Sequence, residues 1–360
     1  MADSVMESCF TLSLIASCTT LSIFLFHNYL YRPYKLNKLG VVVFDFQREI
    51  PSFAYLLFKF TAEALSKRQG KLYPINGTTA KVHFSFFNCR LDLKGLRWFC
   101  SAFGYGWDYP DSTFRDVPLC YPEVLFFRLL VMVVCSDRFR LSPWGLIRIR
   151  QTLRTFQPID ELKKGPFLLE ASVVEYRTVE EGVEVDIKLA AADRANQPVW
   201  EDLLTLLSRD MKRITSKQPP AWGVLEVEEV KVEERAVVIS VPWWGGLRCA
   251  WASGDYSPHH LFTLTAKLLG HKRPIAPSLW QLSKCLAEIE KHKGVDAVRA
   301  PVCVHVWFRG PLFVPGKAII RFWETAPEAT ISSHRLYSFR MEEQGVRAPC
   351  IVGEIRECEQ

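Results

Sequence analysis

The sequence predicts an α+β protein made of two similar units, each a buried helix followed by a meander of antiparallel strands, with one membrane-spanning helix in front. Three observations carry this expectation. Residues 121–135 and 279–293 are apolar at helical spacing, and each run is followed by four segments of strand-like patterning. Between the two units lies Ser216-Lys217-Gln218-Pro219-Pro220, whose prolines and polar neighbours interrupt both periodicities. A chain of 360 residues that is 49% hydrophobic and 13% aromatic can bury one large core or two related ones.

The first element is residues 9–26, which contain no charged side chain, in an uncharged window of 8–31 when His27 is neutral. As a helix that window spans the roughly 30 Å of bilayer hydrocarbon. Asp3 and Glu7 precede it where a cleaved leader carries basic residues, and no A-x-A-like cleavage site follows, so a retained anchor is expected. Arg32, Lys35 and Lys38 come next, and positive charge stays cytoplasmic. This implies a single-pass protein of the endoplasmic reticulum with its bulk in the cytosol. Asn76-Gly77-Thr78 then reads as a turn and not as a glycosylated site.

Residues 1–34 are thus the anchor and its flank, and 35–79 an extension with a helix over 53–65 to which no chemistry is assigned. Alternation predicts a strand at 80–86, and a helix over 91–103 stops at Gly104. After the 121–135 helix, strands are expected at 146–153, 167–176, 183–190 and 199–208, with Arg148 and Arg150 alternating on an exposed basic face. Residues 216–235 form the linker, where the acidic and basic alternation of 226–235 reads as a solvated strand pair. The Trp-rich run 238–253 is expected as a strand and 258–270 as an amphipathic helix. Helix 279–293 follows, then strands at 302–308, 317–324, 335–341 and 350–355.

Composition excludes some classes of function. Eleven cysteines occur without CxxC pairs or zinc-like Cys/His spacing, which predicts reduced packing thiols and no structural metal. The net charge of +6 is spread along the chain, so nucleic acid is not the expected partner. The chemistry-bearing stretch is Ser253-Gly254-Asp255-Tyr256-Ser257-Pro258-His259-His260. A carboxylate and an imidazole five residues apart across a proline turn can activate a water as general base and return the proton as general acid. Read as local structure alone, Asp255 is a helix N-cap and His260 a solvated or core residue.

These eight residues resemble the hydratase motif SGDxNPxH of the MaoC-like dehydratases and R-specific enoyl-CoA hydratases. The resemblance makes Asp255 and His260 the catalytic pair, with Gly254 and Ser257 in support; Ser257 stands where the family has Asn. Ala276-Pro277-Ser278-Leu279-Trp280 stands where the family has Ala-His-Gly-Met-Trp, which assigns Ser278 as backbone donor to the thioester carbonyl. Ser278 and Gln281 also have the form of a capping box, in which the glutamine would occupy that donor. Cys120-Tyr121-Pro122-Glu123-Val124-Leu125-Phe126-Phe127 and residues 199–209 are similar to the N-terminal half of two-unit members, with Glu123 where they have His.

The fold so implied is a double hot-dog, two long central helices wrapped by antiparallel sheet, with a non-catalytic unit over 80–215 and a catalytic one over 236–360. The implied reaction interconverts trans-2-enoyl and (R)-3-hydroxyacyl thioesters at a membrane, without a cofactor beyond the coenzyme A of the substrate. Lys267, Lys272 and Arg273 would meet its phosphates, or else form a solvated helix face. The resemblance leaves three matters open: coenzyme A or acyl carrier protein as the thioester carrier, with coenzyme A favoured; assembly as a homodimer; and a non-catalytic alternative in which the protein binds acyl chains or serves as a scaffold.

Overall fold

Strands from the two halves of the chain join side by side in one sheet of eleven. The computed structural model describes residues 41–45, 51–74, 82–210, 231–325, 336–346 and 348–358, together with positions 19, 20 and 22. Residues 211–230, which take in most of the expected linker 216–235, and nearly all of the expected anchor lie outside the described residues, while 231–235, expected as linker, form the start of a strand paired in the sheet. Among the described residues no helix is long and apolar enough to cross a membrane.

The first half runs β1 (Val41–Asp45), α1 (Phe53–Ser66), β2 (His83–Cys89), α2 (Leu93–Phe103), α3 (Tyr121–Leu125), α4 (Phe127–Val134), β3 (Leu146–Thr155), β4 (Phe167–Val179), β5 (Gly182–Ala192) and β6 (Pro198–Arg209). The second runs β7 (Lys231–Val241), α5 (Gly245–Ser253), α6 (Pro258–Leu261), α7 (Thr263–Leu268), α8 (Ser278–Lys293), β8 (Val302–Phe308), β9 (Gly316–Thr325), β10 (Leu336–Glu343) and β11 (Pro349–Glu357).

Spatial order reveals an internal repeat. The sheet reads β1-β2-β4-β5-β6-β3-β8-β11-β10-β9-β7. Inward from each edge, β2-β4-β5-β6-β3 matches β7-β9-β10-β11-β8, and in each half the central helix follows the first strand of the set. Only β1 breaks the pattern, adding to β2 in parallel. The two sets meet antiparallel at β3 and β8, where Leu153 faces Val304 and Thr155 faces Val302. The Thr155 hydroxyl accepts from the Val302 N–H at 3.2 Å, so the seam is bonded through side chains as well as backbone.

α8 is buried on nearly every side, with Trp280, Leu282, Cys285, Leu286 and Ile289 in the core. Its polar residues Gln281, Ser283, Glu288 and Glu290 are buried as well. Its counterpart in the first half is not the single helix expected over 121–135. It divides at Phe126, which closes α3 through a bond from its N–H to the Glu123 carbonyl at 3.1 Å and opens α4.

Residues 238–253 are a second correction. β7 stops at Val241, and Gly245–Ser253 are helical. Trp244, Leu247 and Trp251 recur three and four apart and stay exposed, while Gly246, Cys249, Ala250 and Ala252 are buried. The usual order of apolar burial is inverted here, with small residues inside and large ones outside, so the run mimics a strand. The catalytic-motif candidate therefore joins two helices instead of a strand and a helix.

Candidate active site

Asp255 leaves the end of α5 through Gly254, which is left-handed at φ 77°. A side chain at Gly254 would be strained by that φ and would come within 3.4 Å of the Phe127 ring, so glycine lets the turn pack against the first half of the chain. The Asp255 N–H donates to the Ser253 hydroxyl at 3.2 Å, and that hydroxyl donates to the Cys249 carbonyl at 2.8 Å. On the other side, Asp255 Oδ1 accepts the Ser257 N–H at 3.0 Å and the Ser257 hydroxyl at 2.5 Å. Ser257, the departure from the motif, thus grips the carboxylate twice. No hydrogen bond to Oδ2 is formed among the described residues, so that oxygen can meet a water or substrate.

His260 lies on α6, which can approach α5 closely because Gly246 has no side chain. A Cβ there would sit 2.3 Å from the His260 carbonyl oxygen. The His260 ring Nδ1 is 2.8 Å from the Ile275 carbonyl oxygen. A carbonyl can only accept, so Nδ1 carries the proton and Nε2 keeps its lone pair. Burial pushes the His260 pKa below its ordinary value, opposed by the nearby Asp255 carboxylate and by the Ile275 bond; the Arg148 charge pushes it down further. His259, with its ring centroid 4.0 Å from that of His260, is lowered to about 3, chiefly by burial. Both imidazoles are neutral at pH 7.

Ile275 also fixes the start of α8. Residues 274–276 are held by the Ala276 N–H to the Leu312 carbonyl at 2.8 Å and the Val314 N–H to the Pro274 carbonyl at 2.9 Å. Pro277 is the N-cap, which puts Ser278 at the first helical position. The capping box does not form: Gln281 Nε2 donates to the Ala276 carbonyl at 3.1 Å, and the Gln281 N–H to the Pro277 carbonyl at 3.1 Å. The Ser278 N–H is therefore one of the unpaired donors of a helix start, where the macrodipole favours developing negative charge. His260, through Ile275, and Ser278, three residues further on, share one fixed segment.

Lys267 and Lys272 are exposed and have no carboxylate partner among the described residues, whereas Arg273 lies 3.4 Å from Glu343. Among the described residues no group of three His, Cys, Asp or Glu side chains could hold a metal ion, and all nine described cysteines are free.

One feature of the site's surroundings was missed from the sequence. Arg148 is not on an exposed face with Arg150. A bulge between them breaks the alternation, so Arg150 pairs outward with Glu184 while Arg148 turns inward to Glu123. Gln151 links this pair to β6, donating to Glu123 Oε2 at 3.0 Å and to Asp202 Oδ2 at 2.6 Å. Burial, reinforced by the Glu123 charge, drives the Asp202 pKa well up.

The fold is that of the hot-dog proteins, with two such units in one sheet and the candidate acid-base pair in the second. No family model matches the chain. It is 25% identical over 215 residues to 3-hydroxyacyl-thioester dehydratase X of Mycobacterium tuberculosis, covering 57% of this chain and 69% of that protein. Among solved structures it resembles HtdX of Mycobacterium tuberculosis (TM-score 0.59, 19% identity, 77% of this chain and 100% of that one). It also resembles a MaoC-like dehydratase of Phytophthora capsici (TM-score 0.56, 15% identity, 78% and 96%). With the motif, these comparisons make the chain similar in sequence and in fold to MaoC-like hydratases and dehydratases.

Proposed function

We propose that this protein is a hydro-lyase interconverting trans-2-enoyl and (R)-3-hydroxyacyl thioesters of coenzyme A at a membrane. The observation that carries the reading is His260, whose Nδ1 is committed to the Ile275 carbonyl at 2.8 Å and whose Nε2 is left basic in a buried setting beside Asp255. In the hydration direction, Asp255 and His260 hold the water and take one of its protons as the oxygen bonds to C3. The C2–C3 π electrons move into the thioester as an enolate, and a proton returned from the pair reaches C2. Ser278 N–H, at the positive end of α8, accommodates the enolate oxygen. The geometry at Ser257 and Ser278 supports turnover over a merely acyl-binding role, since neither departure from the motif removes the group that the chemistry needs.

The half over 80–215 would shape the acyl pocket. Lys267 and Lys272 would meet the phosphates of coenzyme A; Arg273, held beside Glu343, is less free to do so. Residues 9–26 would hold the protein in the endoplasmic reticulum membrane with its folded part in the cytosol. The test is hydration of crotonyl-CoA and of longer enoyl-CoAs by the full chain, recovered from carbonate-washed membranes. Asp255→Asn and His260→Ala should each lower turnover by about two to four decades with the fold intact. The double variant should be little worse than either single one, because the pair acts as a unit. Near-normal rates in either single variant would end this assignment.

A further inference from the structure

We infer that the face formed by α2 and α5, next to the turn that carries Asp255, seats on an anionic lipid bilayer. Five of the chain's eleven tryptophans are exposed there: Trp98, Trp107, Trp243, Trp244 and Trp251. Trp98 contacts Trp107 and Trp251 edge to face, with ring centroids 5.5 and 6.3 Å apart, and Trp243 meets Trp244 at 5.7 Å. On α5, Trp244, Leu247 and Trp251 fall three and four residues apart, on one stripe of the helix. The stripe is rigid against its neighbour, since the Arg248 guanidinium donates to the Ser101 hydroxyl at 2.9 Å and to the Ser101 carbonyl at 3.3 Å. Trp251 is 67% exposed, and such a run of large apolar side chains marks an interaction surface, not a chance of composition.

Chemistry favours a bilayer as the occupant. Tryptophan places an apolar ring and a polar N–H together, which suits the headgroup boundary, and interfacial faces pair such rings with Lys and Arg. From Trp243 to Arg273 the charged residues are Arg248, Lys267, Lys272 and Arg273 against the carboxylate of Asp255, and since Arg273 pairs with Glu343, three cations are left without a carboxylate partner among the described residues. That balance suits anionic headgroups. Phe262, Leu264 and Leu268, on the two short helices after the motif, are likewise exposed. A second copy of the chain is less well matched, because it would bring the unpaired cations Arg248, Lys267 and Lys272 against their like, and the sheet pairing of β3 with β8 is already made within one chain. The inference rests on the acyl-thioester reading for its purpose, which is to let a membrane-dissolved acyl chain reach Asp255 without crossing water.

Residues 1–40 contain no tryptophan, so tryptophan fluorescence reports the folded part even when the apolar run 9–26 also holds the membrane. The full chain is mixed with phosphatidylcholine vesicles, with or without phosphatidylserine, whose acyl chains carry bromine as a quencher. The expected result is a loss of roughly a third or more of the emission on anionic vesicles, and less on neutral ones. Leu247→Glu, which keeps every tryptophan and puts a carboxylate in the stripe, should abolish the loss; Trp251→Ser is the second variant should the first fail to fold. Vesicles that float the chain without quenching it would show the apolar run alone at the bilayer and overturn the inference. So would a dimer that Leu247→Glu converts to monomer with no quenching in either form. Quenching without hydration of any enoyl-CoA would remove the proposed reaction and leave this surface standing, whereas hydration without quenching would do the reverse.

Discussion

At the scale of single residues, the state of His260 sets how the site responds to acid. Burial lowers its pKa, and the Asp255 carboxylate and the Ile275 carbonyl only partly offset that. The imidazole therefore keeps its basic lone pair at pH values where a free histidine, near about 6.5, would be half protonated. The acid limb of kcat/KM for hydration should accordingly have its midpoint below that value; a midpoint above it would mean that another group is the base. The linked effect on stability has a definite sign. Where the folded pKa is depressed, the unfolded chain binds more protons at acid pH, so the contribution is complete above about 6.5 and is lost as pH falls toward the folded value. His259, lowered to about 3, extends the loss across the same range. Thermal melts should therefore show unfolding temperatures that decline as pH drops from 7 to 4, and less steeply in His259→Phe.

At the scale of elements, the start of α8 is the feature most open to a clean test. Ser278 is at the first helical position and Pro277 before it has ψ 141°, the extended backbone that tolerates a following proline. Ser278→Pro should leave the fold unchanged while deleting one N–H, and so lower kcat by about two to three decades, equivalent to about 2.7 to 4 kcal/mol. Ser278→Gly, which keeps the N–H, should stay within a few-fold. Equal rates in both variants would show that no thioester oxygen is held there. The turn holding Asp255, Ser257 and His260 was picked out by its resemblance to a family motif, since its spacing alone reads equally as a helix cap, and the three residues do lie in one short turn. Strands β3 to β6 and β8 to β11 were also legible, since their alternation faces a core on one side. α5 was not, because its small residues are the buried ones and its tryptophans the exposed ones. Arg148 was misjudged for a related reason: a one-residue bulge reverses the side on which every earlier residue of the strand falls, and nothing in local pattern marks it.

At the scale of the whole molecule, the first half contributes charge to a site whose candidate acid-base pair belongs to the second. Arg148 on β3, Glu123 on α3, Gln151 on β3 and Asp202 on β6 come together from positions up to 79 residues apart in sequence, which is why no motif announced them. Burial disfavours the Arg148 charge, but the charge and hydrogen bond of Glu123, with the carboxyl groups of Asp202 and Asp255, together outweigh it, so the guanidinium stays ionised. Its field reaches His260, where it opposes protonation, and the same cluster lies one helix away from the Phe127 ring that packs on Gly254. Removing one member should be costly. Glu123→Gln leaves a buried cation without its counter-charge and should destabilise the fold by about 3 to 5 kcal/mol, whereas Glu123→Met with Arg148→Met should recover most of that in a denaturant titration. The kinetic consequence separates an electrostatic role from packing. Arg148→Met withdraws a positive charge that holds the His260 pKa down, so the acid limb of the hydration profile should move to higher pH. Arg148→Lys, if its ammonium still reaches Glu123, should move the limb back toward its original place even though it cannot reproduce the fork of bonds to Glu123 and Gln151. A limb that stays fixed in Arg148→Met while stability falls would mean that the cluster only braces β3 against α3 and β6, and that the second half sets its own acid-base balance unaided.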